Sequence, residues 1–342
     1  MLKPEHSQPE RLQEVNVTER NGNATKYNVM LDLNKISTYS LKDRFSKVEV
    51  KDFAKPISES TARNTQDWFN HFPQILAAKE LKEFVLDVKK AKDRKKPIIW
   101  GMGSHVLKTG LAPLLIDLMD CGFVTGLAFN GSVLIHDFET AYAGKTSEDV
   151  DSVIGEGQFG MAKETGEVVN EAISKGTAQG LGLGEALGKH IAESSYAYKQ
   201  FSILAHAHLK KIPATVHVAI GTDIIHMHPK CDPAALGVGS HRDFLKIAQQ
   251  ISSLEGGVYI NFGSAVILPE IFLKALTLVR NLNYKVDQIV TANFDFIQHY
   301  RARVNVVGRP TTNGGRGYSF TGHHEIMLPL LATLLKASTT ST

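Results

Sequence analysis

Cysteine is scarce in this chain, with only Cys121 and Cys231 among 342 residues. Two cysteines cannot build a disulfide framework, and their scarcity fits a reducing compartment. No apolar run approaches the roughly 20 residues that a membrane helix needs, and no charged-then-apolar leader opens the chain. The expectation is a cytoplasmic protein without membrane contact. A charge excess of one sign is also missing: 38 basic and 35 acidic side chains leave a net +3, too little to argue for nucleic acid. The basic run Lys89–Lys96 reads as the solvated end of a helix. A complete dinucleotide fingerprint is absent. The glycine-rich segment Gly176–Gly184 follows a helical pattern, whereas a phosphate loop follows a strand and carries Gly-Lys-Ser/Thr, so it reads as a helix–helix connection.

What remains is ordinary globular composition, 43% hydrophobic and 21% charged, long enough to bury a large core. Residues Met1–Arg20 are polar. A weak alternation over Tyr27–Leu33 suggests a strand, and apolar residues at helical spacing between Pro56 and Ala91 suggest a helical N-terminal extension covering 1–95.

From Pro97 the pattern changes. Pro97–Trp100 reads as a buried strand ending in Gly101-Met102-Gly103-Ser104, a helix follows over Thr109–Met119, and Val124–Phe129 reads as a second strand ending in Asn130-Gly131-Ser132. Glu139–Gly155 reads as a polar excursion. Helices are expected over Ala162–Lys175 and Glu185–Leu209, then a strand Ala214–Ile220 ending in Gly221-Thr222-Asp223. Helix Arg242–Ser253, strand Gly257–Ile260, helix Leu268–Arg280 and strand Gln288–Thr291 come next, followed by an extended segment Arg303–Val307, a glycine-rich loop Gly308–Gly322 and a helix Glu325–Leu335. Strands alternating with helices predict an α/β, Rossmann-like doubly wound parallel sheet over 96–338. Five strands in succession end in small or polar residues, at the carboxyl ends where such sheets bind ligands. That favours a long ligand, with helix N-termini available to a diphosphate.

The order and spacing resemble the deoxyhypusine synthase family. Gly103-Ser104-His105-Val106-Leu107-Lys108-Thr109-Gly110-Leu111 is similar to that family's Thr-Ser-Asn-Leu-x-x-Ser-Gly-Leu dinucleotide loop. Asn130–Val133 with His136, Asp137 and Glu139 resembles its Ala-Gly-Gly-Val followed by acidic residues, Ile220–Asp223 its Thr-Asp turn, and Asn261–Val266 its Gly-Gly-Gly-Val turn. The resemblance covers roughly residues 97 to 300. It implies a Rossmann-like NAD-binding domain, a polyamine-like substrate and a homo-oligomer, usually a tetramer. It also implies that the cofactor lies against Gly103, Ser104, His105, Asn130, Gly131, Ser132, Thr222, Asp223, Gly263, Ser264 and Asn293. One departure is large. The family transfers its aminobutyl group through a lysine near the C-terminus, yet no lysine occurs here between Lys285 and Lys336. Only a primary amine forms that covalent imine. NAD-dependent chemistry at a carbon bearing an amine would then use a small amine or water as the attacking group. The alternatives are a homologue that binds a nucleotide without catalysis and, third in order, a metal-dependent hydrolase using a His/Asp/Cys cluster.

Three further sets carry chemistry. His323, His324 and Glu325, in a glycine-rich loop before the last helix, suit proton transfer, since an unperturbed imidazole titrates near neutrality; Glu325 alone would also suit a first helical turn. Asp137, Glu139 and Asp295 could hold a cationic substrate, although acids opening a helix are commonplace, and Asp223 and Asp295 end apolar strands where an unpaired charge is costly. His217, His226, His228 and Cys231 lie within fifteen residues and are zinc-type ligands, but their spacing fits no standard structural site. No metal is therefore assigned.

Overall fold

The computed structural model describes residues 15–18, 24–27, 33–53, 56, 58, 59, 69 and 72–337. Most of the strand expected over 27–33, and the first part of the helix expected over 56–91, lie outside the described residues. Among the described residues ten strands occur, in chain order β1 (Val15–Thr18), β2 (Ala24–Tyr27), β3 (Ser46–Glu49), β4 (Ile98–Met102), β5 (Gly126–Asn130), β6 (Lys145–Glu148), β7 (Ala214–His217), β8 (Val258–Phe262), β9 (Val290–Asp295) and β10 (Arg316–Thr321). β1 pairs with β2 and β3 with β6, each antiparallel. The other six form one parallel sheet in the order β10-β9-β8-β4-β5-β7.

Numbered by their own sequence order, those six strands run 3-2-1-4-5-6, the Rossmann arrangement. The chain winds outward from β4 through β5 to β7, returns to the middle, and winds the other way from β8 through β9 to β10. The direction reverses between β4 and β8, which makes the carboxyl ends of these two strands the topological switch point, the place where doubly wound sheets bind their ligands. The α/β doubly wound fold expected from the sequence is the observed one.

The sheet is buried on both faces, which explains the nearly unbroken apolar strands. Ile98, Trp100 and Met102 of β4 point to one face, where they meet Phe129, Phe262, Phe294 and the helices Leu76–Asp93, Ala112–Asp120, Ser132–Ala143 and His324–Lys336. Ile99 points to the other face, with Tyr259 stacked on Phe272 at 3.8 Å between ring centroids, under the helices Pro233–Ile251 and Ile267–Asn281. Helix Leu76–Asp93 belongs to this core. Phe84 packs at 5.6 Å against each of Phe294, Tyr318 and Phe320, and burying such a ring stabilises by about 1.5–3 kcal/mol.

Four expected elements differ. Arg303–Val307 was expected to be extended, but Tyr300–Ala302 begins a helix that continues as a wide π-type turn over Arg303–Gly308. The sixth strand lies within the expected glycine-rich loop, at Arg316–Thr321, with Tyr318 and Phe320 buried on one side of its pleat. Residues 139–155 are not a simple excursion either: helix Ser132–Ala143 runs through Glu139 before the chain turns into β6. The helical region 185–209 is two helices, Leu183–Glu193 and Ile203–Lys210. No helix among the described residues is long and apolar enough to cross a membrane.

Candidate functional site at the sheet's carboxyl edge

At the switch point the turns after β4 and β8 approach each other through backbone alone. A Cβ added to Gly103 would fall 2.5 Å from the Gly263 carbonyl oxygen, so no side chain fits between the two turns. Gly263 has φ +70°, the left-handed region, and a Cβ there would fall 2.3 Å from the His324 ring. Helix His324–Lys336 thus sets its first residue directly over the second turn.

His324 is the unusual group at this place. It is 1% exposed, and its ring nitrogens make no hydrogen bond of good geometry among the described residues, although the Phe294 carbonyl lies close enough to favour the protonated ring. Orphaned buried polar atoms in a folded protein call for an explanation, and a bound ligand is one. The Asp295 carboxylate, at the end of β9, lies 3.7 Å from His324 Nε2 and accepts from the Phe296 amide at 2.8 Å. Burial pulls the His324 pKa down, with Asp295 opposing, and burial likewise lowers His105. The His105 ring packs edge-on to His324 at 5.2 Å. His323 is exposed and stacks on Phe296 at 6.0 Å, and Glu325 is exposed with an oxygen 3.9 Å from His323 Nδ1. Below the turn, Asn261 donates to the Ser264 carbonyl at 2.9 Å and to Asn293 Oδ1 at 2.7 Å, leaving its own Oδ1 without a partner. Ser264 Oγ accepts from the Leu268 amide at 3.2 Å, and Ser104 is buried.

Along the edge toward β5, Asn130 Oδ1 accepts from Ser132 Oγ at 3.0 Å, and the Asp223 carboxylate packs against Gly131. Burial raises the Asp223 pKa, with His226 opposing. The Thr222 hydroxyl donates to the Ala219 carbonyl at 2.7 Å. Ser132, Thr222 and Asp223 line a cavity of about 200 Å³ whose other walls include Lys108, Arg44 and Glu148. Burial lowers the Lys108 pKa. The sequence reading therefore placed eleven cofactor-contact residues along one edge, and the structure distributes them between the switch point and this cavity.

The two acids expected to hold an amine are occupied by the protein itself. Asp137 is fully buried and accepts from the Ser202 hydroxyl and from the amides of Ile203 at 2.8 Å and Leu204 at 3.2 Å, so it caps helix Ile203–Lys210. Burial raises its pKa to about 6 against those donors. Glu139 is 1% exposed and makes a bidentate pair with Arg44, at 2.9 and 2.8 Å, while accepting from Thr146 at 2.6 Å and Thr165 at 3.1 Å. Burial opposes its ionisation, yet the Arg44 guanidinium outweighs burial and holds the carboxyl below its ordinary value. A substrate role for Asp137 and Glu139 does not fit this placement, because their oxygens are already engaged.

The four metal-type residues are not gathered into a site, and among the described residues no group of three His, Cys, Asp or Glu side chains is placed to hold a metal ion. His217 is buried in the sheet beside Thr215, His228 packs against Gly166, and His226 accepts from the Gly221 and Asp223 amides. A cavity of about 520 Å³ opens at the amino end of β7, away from the switch point. Its Lys246 and Glu185 pair with each other.

Sequence reasoning missed Arg44, Lys108 and Phe296. Lys108 sat inside the first motif and was passed over; the partnership of Arg44 with Glu139 spans 95 positions and leaves no local signal.

No family model and no curated protein matches this chain. Among solved structures, ArgZ, an arginine dihydrolase of the ornithine–ammonia cycle in cyanobacteria, is 15% identical with a TM-score of 0.47 over 76% of this chain and 33% of its own. AgrE in complex with ornithine and NAD+ is 17% identical, with a TM-score of 0.47 over 75% of this chain and 32% of its own. A candidate deoxyhypusine synthase from Entamoeba histolytica is 12% identical, with a TM-score of 0.45 over 82% of this chain and 96% of its own. The chain spans about a third of the first two proteins. The likeness is one of fold.

Proposed function

We propose that this protein binds a nicotinamide dinucleotide across the β4–β8 switch point and uses it on a small molecule at a carbon bearing an amine. The observation that carries the reading is the switch point itself: two turns too close for any side chain, with a buried imidazole that makes no hydrogen bond of good geometry set over them. The carboxyl ends of the strands at that position are where doubly wound sheets seat a dinucleotide. Gly103, Ser104, Gly263 and Ser264 would hold its middle, with Asn130, Gly131 and Ser132 on the β5 side and His105 and Asn293 near His324. Bound there, a nicotinamide would supply hydride acceptance at the amine-bearing carbon, so that a small amine or water could attack the oxidised carbon.

The chain's own part is proton transfer. His324 is held neutral by burial and can take the proton that leaves the substrate nitrogen. The Asp295 carboxylate faces Nε2 and stabilises the cation so formed, which leaves Nδ1 as the accepting atom. His105 packs edge-on to His324 and is exposed to solvent, and His323 and Glu325 stand at the rim. This reading also implies an amine substrate and a homo-oligomeric assembly, both proposals.

One observation favours a second reading, nucleotide binding without turnover: Asp137 and Glu139, the acids nearest in sequence to the β5 turn, are fully engaged by the protein. Calorimetry with NAD, followed by absorbance in the reduced-nicotinamide band with a polyamine, separates the readings. NAD binding with a polyamine-dependent absorbance rise that His324→Ala abolishes supports the enzyme. Binding without any rise leaves the second reading, and no saturable NAD heat refutes both.

A further inference from the structure

At the other end of the same edge, β7 finishes in His217, whose side chain is 2% exposed. Its ring lines a cavity of about 410 Å³ that reaches to the turn after β8, within the range of small-molecule sites, about 300–1,000 Å³. The protonation of that ring follows from its neighbour. Thr215 Oγ lies 3.1 Å from the Leu127 carbonyl oxygen and 3.0 Å from His217 Nε2. A carbonyl can only accept, so the single hydroxyl proton goes to Leu127, and His217 must donate from Nε2. Nδ1 is then a bare lone pair, buried and without a partner among the described residues. Burial keeps the ring neutral, with a pKa pulled down to about 3.

The lining selects what could satisfy that lone pair. Val218, Phe244, Val266, Ile267 and Ile271 give apolar walls, Ser240 and His241 add polar groups, and the Ser240 hydroxyl oxygen already accepts from the Val218 amide at 3.4 Å. The one carboxylate present, Glu270, is already taken by Lys274, by Asn305 at 2.8 Å and by Arg301 at 3.2 Å. An ammonium group would therefore enter without a counter-charge, which is costly. A neutral, flat molecule carrying an N–H donor fits instead.

We propose that this cavity holds the adenine ring of the dinucleotide, its exocyclic amino group donating to Nδ1 of His217. The proposal rests on the function proposed above and fixes the ligand's direction: adenine at β7, nicotinamide toward His324. Both ends would then satisfy a buried imidazole that the protein leaves unpaired.

The test compares NAD with its hypoxanthine analogue, in which a carbonyl replaces the amino group, by calorimetry on the full chain. Wild-type protein should bind NAD at least tenfold more tightly, and His217→Leu should bind the two alike. Equal binding by wild type, or an unchanged preference in the variant, overturns the adenine placement while dinucleotide binding stands. If neither dinucleotide binds, AMP against IMP on wild-type protein decides the cavity alone. A tenfold AMP preference keeps the base site and sinks the dinucleotide reading; no preference sinks both. That nucleotide pair also reads the contact if His217→Leu does not fold.

Discussion

Arg44 offers the most exacting test of how this site is built. Its guanidinium meets Glu139 through two parallel bonds, 2.9 and 2.8 Å, with side-chain exposures of 4% and 1%. Replacing Arg44 by Met removes the counter-charge but leaves the carboxylate buried, with only the Thr146 and Thr165 hydroxyls as donors. Breaking one side of such a pair costs about 3–5 kcal/mol. The pH dependence should reverse as well. In the wild type Glu139 titrates below its ordinary value, so its contribution is present above a pH of about 4.3 and is lost as pH falls through the folded-state value. In Arg44→Met burial dominates, the folded-state pKa rises, and stability is lost as pH rises through it. Urea unfolding at several pH values between 4 and 8 should therefore show a gap between the proteins that is small at acid pH and widens upward. Arg44→Met with Glu139→Gln should recover most of the loss, since a neutral pair of similar volume is often equal in stability to a buried ion pair. A loss in the single variant below about 1 kcal/mol, or one that does not change with pH, would refute the reasoning.

Other perturbations follow from the same geometry. Gly103→Ala places a Cβ 2.5 Å from the Gly263 oxygen and should push β4 and β8 apart, costing about 1–3 kcal/mol of stability and at least tenfold in NAD affinity by calorimetry. Asp243 is buried, accepts from the amides of Gly184 at 3.1 Å and Val216 at 2.8 Å, and has its pKa pushed up by burial to about 7. A raised acid pKa means stability that is full below the ordinary carboxylate range and declines as pH rises through 7; Asp243→Asn should flatten that decline, which spans at most about 4 kcal/mol, in thermal melts across pH. Phe84→Ala should cost about 3–5 kcal/mol in a denaturant titration, because three aromatic rings lose their common neighbour.

The parallel sheet was legible because its central strands are buried on both faces. Ile98–Met102, Gly126–Asn130 and Val258–Phe262 read as apolar runs ending in small residues, and no competing period obscures them. β10 was not legible: at the edge of the sheet only Tyr318 and Phe320 are buried, and Arg316, Gly317 and Thr321 give it the composition of a loop. Val304, Val306 and Val307 misled in the opposite direction, β-branched residues whose turn is helical because tertiary packing overrides propensity. Helix Ser132–Ala143 was hidden because it is buried nearly all round, leaving no polar face to mark its period. The same burial explains the misplaced acids: Asp137 and Glu139 look like ligand-binding groups until Ser202 and Arg44, 65 and 95 positions away, come to meet them. The ordering of strand ends along one edge could be read in sequence. The contact of His324 with Gly263, and the lone pair of His217, could not, since each depends on a partner brought in, or left out, by the fold.

The seam between Gly103 and Gly263 bears on how such a protein could change its ligand. Its narrowest point is made of main-chain atoms, so exchanging a side chain elsewhere leaves that point as it is, while a side chain at Gly103 would strike the Gly263 carbonyl and one at Gly263 would strike the His324 ring. The groups that vary under substitution stand at the two ends, His217 on one side and His324 on the other. A chain built in this way keeps a fixed middle and replaceable termini. If the proposed dinucleotide crosses the sheet there, the backbone would set its middle, and His217 and His324 would be the positions at which selectivity changes.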